Sequence, residues 1–250
     1  MALVNAMPPQ VASQLQSERQ LTRVLRPVVN RLLPQNPTPI VVRAGPAEGL
    51  RLVIFPWQEK YYWTGMHEVP VQRALARILR PGMIFWDVGA HIGLMSLIAA
   101  RLVGEMGRVH AFEPMNENRA RLLASIDLNG FDNITVQDKA MAATCGSTIL
   151  FSNRASTMWT LVPARGEENG VVVDCLTLDE YACHNRTPDL IKIDAEGAEV
   201  DVLRGGERLL CDQRPAVVVE FSNYLLLNEA RTLFPFYRFQ RLSGYHWLLT

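Results

Sequence analysis

Apolar residues along this chain follow two alternating rhythms. Short apolar runs at Met83–Val88, Arg108–Phe112, Ile134–Gln137, Leu190–Ile193 and Ala216–Phe221 read as buried strands. Between them, apolar residues recur at helical spacing, which predicts helices over 93–103, 116–128 and 197–210. An earlier helix, carried by Val71, Leu75, Ile78 and Leu79, stops at Pro81-Gly82. Alternation of strand and helix implies a parallel sheet covered on both faces. The chain closes on Tyr237–Leu242, Ser243-Gly244 and Tyr245–Leu249, the pattern of an antiparallel hairpin.

Two regions depart from that rhythm. Residues 1–39 are rich in proline, and Val11, Leu15, Leu21, Val24, Leu25 and Val28 recur there at roughly helical spacing among four arginines. They are expected to form an amphipathic helical appendage, interrupted at Pro27. Packing on the protein's own body is the simplest use of its stripe. A homodimer contact comes next, and attachment to a membrane surface third. The stretch 147–175 is β-rich with no long helix and reads as a hairpin-like insertion. The expected division is an appendage over 1–39 and one domain over 40–250. Within the domain, 40–70 is a β extension with strands Ile40–Arg43 and Leu50–Phe55, and 71–250 is the sheet core.

Composition narrows the function. The 25 basic and 25 acidic residues cancel, which argues against general nucleic-acid binding through many phosphates. The longest apolar candidate for a membrane span, Met83–Val103, is broken by Asp87, His91 and Arg101, so no transmembrane segment is expected. The amino terminus lacks a basic start and apolar centre, and the expected location is cytoplasmic. Cys145, Cys175, Cys183 and Cys211 form no Cys-x-x-Cys pair and read as scattered thiols.

The chemistry gathers at strand ends. The first core strand ends in Asp87, followed by Val88-Gly89-Ala90-His91-Ile92-Gly93. Such a turn lets backbone approach a ligand, and the next helix start presents free N–H groups. Ligands of open parallel sheets sit at the carboxyl ends of strands. Glu113 ends the second strand, where a carboxylate can accept hydrogen bonds from both hydroxyls of a ribose. A nucleoside-containing cofactor follows from these features. A dinucleotide is disfavoured, because no second glycine opens the turn to a pyrophosphate. S-adenosylmethionine needs no such glycine, and Asp87 is placed to meet its ammonium group.

Three motifs together resemble the FkbM-type methyltransferases. They are Asp87–Gly93, Gly107–Pro114, and Asp189-Leu190-Ile191-Lys192-Ile193-Asp194-Ala195-Glu196-Gly197-Ala198-Glu199. The resemblance covers about residues 40–245 and includes Lys60–Gly65 and Glu68. It departs at His91, where the family usually has asparagine; an imidazole there could make cofactor binding depend on pH. The resemblance implies a class I methyltransferase fold, that is, a Rossmann-like, mainly parallel seven-stranded sheet. It also implies transfer of a methyl group to a hydroxyl.

Residue roles follow from that resemblance together with strand geometry. Asp194 is expected to hold the acceptor hydroxyl or take its proton, with Lys192 keeping it ionised. Glu196 is a further catalytic candidate or a helix cap, and Glu220 is a second-rank base. The cofactor set is Asp87, Gly89, Ala90, His91, Gly93 and Glu113. Asp138 is added at the adenine, although an ion pair with Lys139 reads equally well, and Tyr62 and Glu68 cover the pocket. His67, His110, His184 and His246 show no partner pattern and are read as structural or exposed. No metal is expected, because Lys192 opposes a cation beside Asp194 and Glu196. The expected activity is O-methylation of a small molecule or glycan. Protein or nucleic-acid methylation is one alternative, and a non-catalytic cofactor-binding module is another.

Overall fold

Thr38–Val41 (β1) and Arg51–Ile54 (β2) pair antiparallel as a two-stranded sheet ahead of the core. They belong to a computed structural model that describes residues 30–152, 159–160 and 170–250. Most of the helix expected before Pro39 therefore lies outside the described residues. Two short helices follow, Lys60–Thr64 (α1) and Val69–Ile78 (α2). Beyond them Ile84–Val88 (β3) leads into Leu94–Val103 (α3), Arg108–Phe112 (β4), Asn116–Asn129 (α4) and Ile134–Gln137 (β5).

A second sheet then forms. Ala140–Met141 (β6), Gly146–Ser152 (β7), Trp159–Thr160 (β8) and Gly170–Leu176 (β9) make four strands in the order β6-β9-β7-β8. The chain returns to the core through Leu178–His184 (α5), whose capping Thr177 accepts from Glu180 N. Leu190–Ile193 (β10), Glu199–Arg204 (α6), Glu207–Asp212 (α7) and Ala216–Glu220 (β11) come next. Tyr224–Leu233 (α8), Phe239–Ser243 (β12) and His246–Leu249 (β13) close the fold.

The core sheet has seven strands in the order β12-β13-β11-β10-β3-β4-β5, and β13 alone runs antiparallel to its neighbours. This is the expected Rossmann-like architecture. Residues of β3 alternate between two cores: Phe85 packs with Leu97 and Ile98, while Ile84, Trp86 and Val88 pack with Ile191 and Val217. Strand order reverses between β3 and β10, so the crevice above their carboxyl ends is the natural ligand site.

Two elements differ from expectation. The helix predicted over 197–210 is broken at Gly205-Gly206. A Cβ on Gly205 would lie 2.1 Å from the Ala142 carbonyl oxygen, so close packing of backbone on backbone ends the helix there. No helix is predicted between Phe221 and Tyr237, yet α8 forms there. Asn223 caps it by accepting from Leu225 N and Leu226 N.

Candidate active site

Lys192 and Asp87 are direct partners in the parallel ladder of β10 and β3, so their side chains share one face. Asp194 follows on the same side. The Lys192 ammonium lies 3.2 Å from Asp194 Oδ2 and 3.7 Å from Asp87 Oδ1, and donates to the Gly89 carbonyl at 3.1 Å. Burial disfavours that charge, but attraction to Asp194, Asp87 and Glu68 outweighs it and raises the lysine pKa. Burial pushes Asp87 and Asp194 up from the usual carboxylate range, and Lys192 opposes the rise in both.

Gly89 joins these strand ends. Its φ of 74° suits glycine, and a Cβ there would sit 1.9 Å from the Asp194 carbonyl oxygen. The glycine therefore admits the backbone of residue 194 as well as bordering the cavity. Gly93 has φ 91° and admits the Leu122 side chain, which would meet a Cβ at 2.2 Å.

Glu113 at the end of β4 spans the turn. Its Oε2 accepts from His91 N at 2.8 Å, and Oε1 accepts from Met115 N at 2.9 Å. Burial raises its pKa, while those two N–H groups and Asn118 favour the charged form. His91 has φ 51°, a conformation that asparagine and histidine tolerate better than most residues. Its Nδ1 lies 3.0 Å from Tyr62 Oη, within hydrogen-bond distance. Burial, with Arg121, His67 and Lys192 nearby, lowers the His91 pKa to about 3. The expectation that His91 protonation tunes cofactor binding near neutrality is corrected accordingly.

A second wall comes from distant parts of the chain. Glu68, at φ 45°, lies 2.9 Å from His67 Nε2. His246 Nε2 lies 3.0 Å from Glu220 Oε2 and 3.7 Å from Glu68 Oε2. Ligand atoms of Glu68, Glu220 and His246 all fall within 4.8 Å of one another. Burial works against a charged His246, but the adjacent Glu220 and Glu68 carboxylates lift its pKa to about 10. Burial also opposes ionisation of Glu68, and the two histidines overcome it, holding the carboxylate well below its ordinary pKa. His67 and His246 thus belong to an ionic cluster that their sequence positions gave no sign of. The other two histidines differ: His110 is buried against Tyr181 Oη at 2.7 Å, and His184 is exposed.

Glu196 lies between the two walls with φ 47°. Burial comes first, then the charges of Asp194, Glu220 and Glu199, in raising its pKa to about 7. A buried ion pair braces the rim: Arg121 on α4 donates to both oxygens of Glu59, at 2.9 and 2.8 Å, and Glu59 also accepts from Phe55 N.

These residues enclose a cavity of about 830 Å³. It brings together Tyr62, Glu68, Gly89, Ala90, His91, Glu113, Lys192, Asp194, Glu196 and Glu220. Asp87, Gly93 and Asp138 are not part of its lining. Asp87 is wholly buried and accepts from Ser96 Oγ at 2.5 Å, so it anchors Lys192 and α3 where an ammonium contact was expected. Gly93 is filled by Leu122, and Asp138 is exposed beyond β5. Met115, Cys145, Leu150 and Cys175 also line the cavity, and no sequence pattern had pointed to them.

Residues 87–240, which include Asp87, Glu113, Lys192, Asp194, Glu196 and Glu220, match the model of the methyltransferase FkbM domain. The chain belongs to this family. Among solved structures, an FkbM methyltransferase from Methylobacillus flagellatus KT is similar at 18% identity and TM-score 0.49, over 76% of this chain and 54% of that one. The chain thus spans about half the length of that structure. A precorrin-6y C5,15-methyltransferase from Geobacter metallireducens GS-15 is similar at 15% identity and TM-score 0.47, over 73% and 88% of the two chains. Aeropyrum pernix fibrillarin, solved with S-adenosyl-L-methionine, is similar at 12% identity and TM-score 0.43, over 69% and 67%. No curated protein matches the sequence. Methyl transfer in the FkbM family uses S-adenosylmethionine. Among the described residues, no helix is long and apolar enough to cross a membrane.

The donor set fits that cofactor. Glu113 borders the cavity as a buried carboxylate; its Oε1 accepts from Met115 N and Asn118 Nδ2, and its Oε2, which accepts from His91 N, keeps a lone pair for a ribose hydroxyl. Phe112, Met115 and Leu150 supply apolar wall, and the backbone of 89–92 supplies polar groups close to the same carboxylate.

Proposed function

We propose that this chain methylates a hydroxyl of a small molecule or glycan, with S-adenosylmethionine held by Glu113, Tyr62, Glu68 and the 89–92 turn. The cofactor, when bound, supplies an electrophilic sulfonium methyl. The observation that carries the reading is the pairing of Lys192 with Asp194 beside Glu196, in the same cavity as Glu113. Asp194 accepts the hydrogen bond of the incoming hydroxyl and fixes its direction. Lys192 keeps Asp194 ionised, and Asp87 behind it anchors the lysine. Glu196, with a pKa of about 7, is matched to taking the hydroxyl proton near neutrality. Positioning supplies much of the rate in a direct displacement of this kind.

A phosphate-bearing acceptor fits poorly. Glu68, Asp194, Glu196 and Glu220 all line the cavity and would repel a nucleic-acid backbone. The test is methyl transfer from labelled S-adenosylmethionine to a panel of hydroxylated acceptors, followed by Asp194→Asn on whichever acceptor reacts. We expect kcat to fall about 100-fold, the cost of a misdirected reactant, with S-adenosylhomocysteine affinity nearly unchanged. Unchanged turnover in Asp194→Asn would remove Asp194 from the reaction.

A further inference from the structure

Glu196 sits in a turn that glutamate does not favour by itself. Ala198 N donates to the Ala195 carbonyl at 3.2 Å, and the two residues between them, Glu196 and Gly197, have positive φ angles of 47° and 105°. Turns with two successive positive φ angles favour glycine, asparagine or aspartate, whose short side chains tolerate that backbone. Glutamate has no such advantage, so a contact from outside the turn must hold it.

Glu199 makes that contact. Its Oε1 accepts from Gly197 N at 2.7 Å and from Ser222 Oγ at 2.9 Å. Gly197 lies in the segment that leaves β10, and Ser222 lies just past Glu220 at the end of β11. One oxygen therefore ties together the segments that carry Glu196 and Glu220, two carboxylates of the cavity wall. Glu199 is not itself part of that wall. It is only 1% exposed, and its Oε2 has no hydrogen-bond partner. An acid serving only the positive end of α6, a helix of six residues, would do so at the surface without that unpaired buried oxygen.

We infer that Glu199 is a positioning residue for the reaction: by accepting from Gly197 N and Ser222 Oγ it fixes the 195–198 turn and holds the Glu196 carboxyl in the cavity. This rests on the reading of Glu196 as the base and adds the residue that places it there. Around Glu196 stand Asp194 and Lys192 from β10, Glu199 from α6 and Glu220 from β11, with Glu68 and His246 beyond Glu220. Burial is the first cause of its pKa of about 7, so freeing the turn into solvent should return that value toward 4.5. Glutamine at 199 keeps an acceptor oxygen for Gly197 N, whereas leucine keeps none. Both lack the acid, so the difference between them separates the hydrogen bond from charge.

The experiment uses full-length protein labelled with 13C and 15N and needs no acceptor. NMR follows hydrogen exchange of the Gly197 amide and the carboxyl titration of Glu196, assigned by its absence from Glu196→Gln. The parent amide should be protected, and in Glu199→Leu it should exchange about tenfold faster or more. Glu199→Gln should return exchange to within about threefold of the parent and hold the Glu196 midpoint about half a pH unit or more above that of Glu199→Leu. If Glu199→Leu does not fold, Glu199→Asp replaces it; its shorter reach should give the same rise in exchange with the acid retained. On an acceptor found by the panel above, kcat should fall about tenfold in Glu199→Leu and largely recover in Glu199→Gln. An unprotected Gly197 amide in the parent overturns the inference. So does a Glu199→Gln protein that matches Glu199→Leu in both NMR readouts, unchanged exchange in Glu199→Asp, or equal kcat in parent and Glu199→Leu. S-adenosylhomocysteine affinity, read by calorimetry, should be the same in every variant. Its failure to bind the parent overturns the methyltransferase reading and leaves the NMR result to decide the turn.

Discussion

Replacing Glu196 by Gln should lower turnover by about 10²–10⁴, the range for losing a general base, and should make the protein more stable at alkaline pH. The two effects have one cause. Burial, aided by the neighbouring carboxylates, raises the Glu196 pKa from 4.5 to about 7. Relative to the unfolded chain, the fold favours the neutral acid. That preference is fully present below about pH 4.5 and is lost as pH rises through about 7. Glutamine never ionises, so the variant should match the parent near pH 4. It should exceed the parent by about 1–2 kcal/mol near pH 8.5, once solvent screening of this partly exposed group is allowed for. In the parent, kcat/KM should climb with pH up to about 7 and then level, and the variant's profile should be flat there. Urea unfolding at the two pH values and a pH–rate profile read both arms. A variant that loses stability at pH 8.5, or keeps the inflection near 7, would assign the titration to another group.

Lys192→Met should carry the larger structural cost, about 3–5 kcal/mol, because it leaves Asp87 and Asp194 near one another without their shared cation. Asp87 is the more exposed to this loss in energetic terms, since it is wholly buried and its Oδ1 has no hydrogen bond. The folded lysine pKa is raised, so the parent's stabilisation is present below the unfolded value of ~10.4 and fades only in strong alkali. The variant should regain part of its loss in acid, as the two carboxylates protonate. Denaturant melts at pH 5 and 8 test this. An equal and small loss at both values would mean that the lysine only fills space.

The sheet was legible because its central strands are short, mainly apolar runs bounded by polar or turn-forming residues. Leu190–Ile193 and Arg108–Phe112 fall where the runs predicted. Glu113 and Asp194 were legible for a related reason, because they stand immediately beyond such runs. Contacts that depend on distant segments were not. Nothing near Glu68 announces His246 or Glu220, which reach it only after β13 has folded back beside β11. Asp87 looked like a ligand group because it ends a strand. Its register partner Lys192 and the Ser96 hydroxyl instead turn it into an internal anchor. The break at Gly205-Gly206 was likewise hidden, since the backbone that crowds it belongs to Ala142.

The central claim is that the cavity around Glu113 is a cofactor site for S-adenosylmethionine. The most direct test is calorimetry of S-adenosylhomocysteine with the parent and with Glu113→Ala, alongside NAD. Glu113 makes its hydrogen bonds as a buried carboxylate, so the substitution should weaken S-adenosylhomocysteine binding by ~1.5–3 kcal/mol, roughly 10- to 150-fold. NAD should not bind either protein. Tight NAD binding, or a Glu113→Ala protein that holds S-adenosylhomocysteine as well as its parent does, would contradict the account.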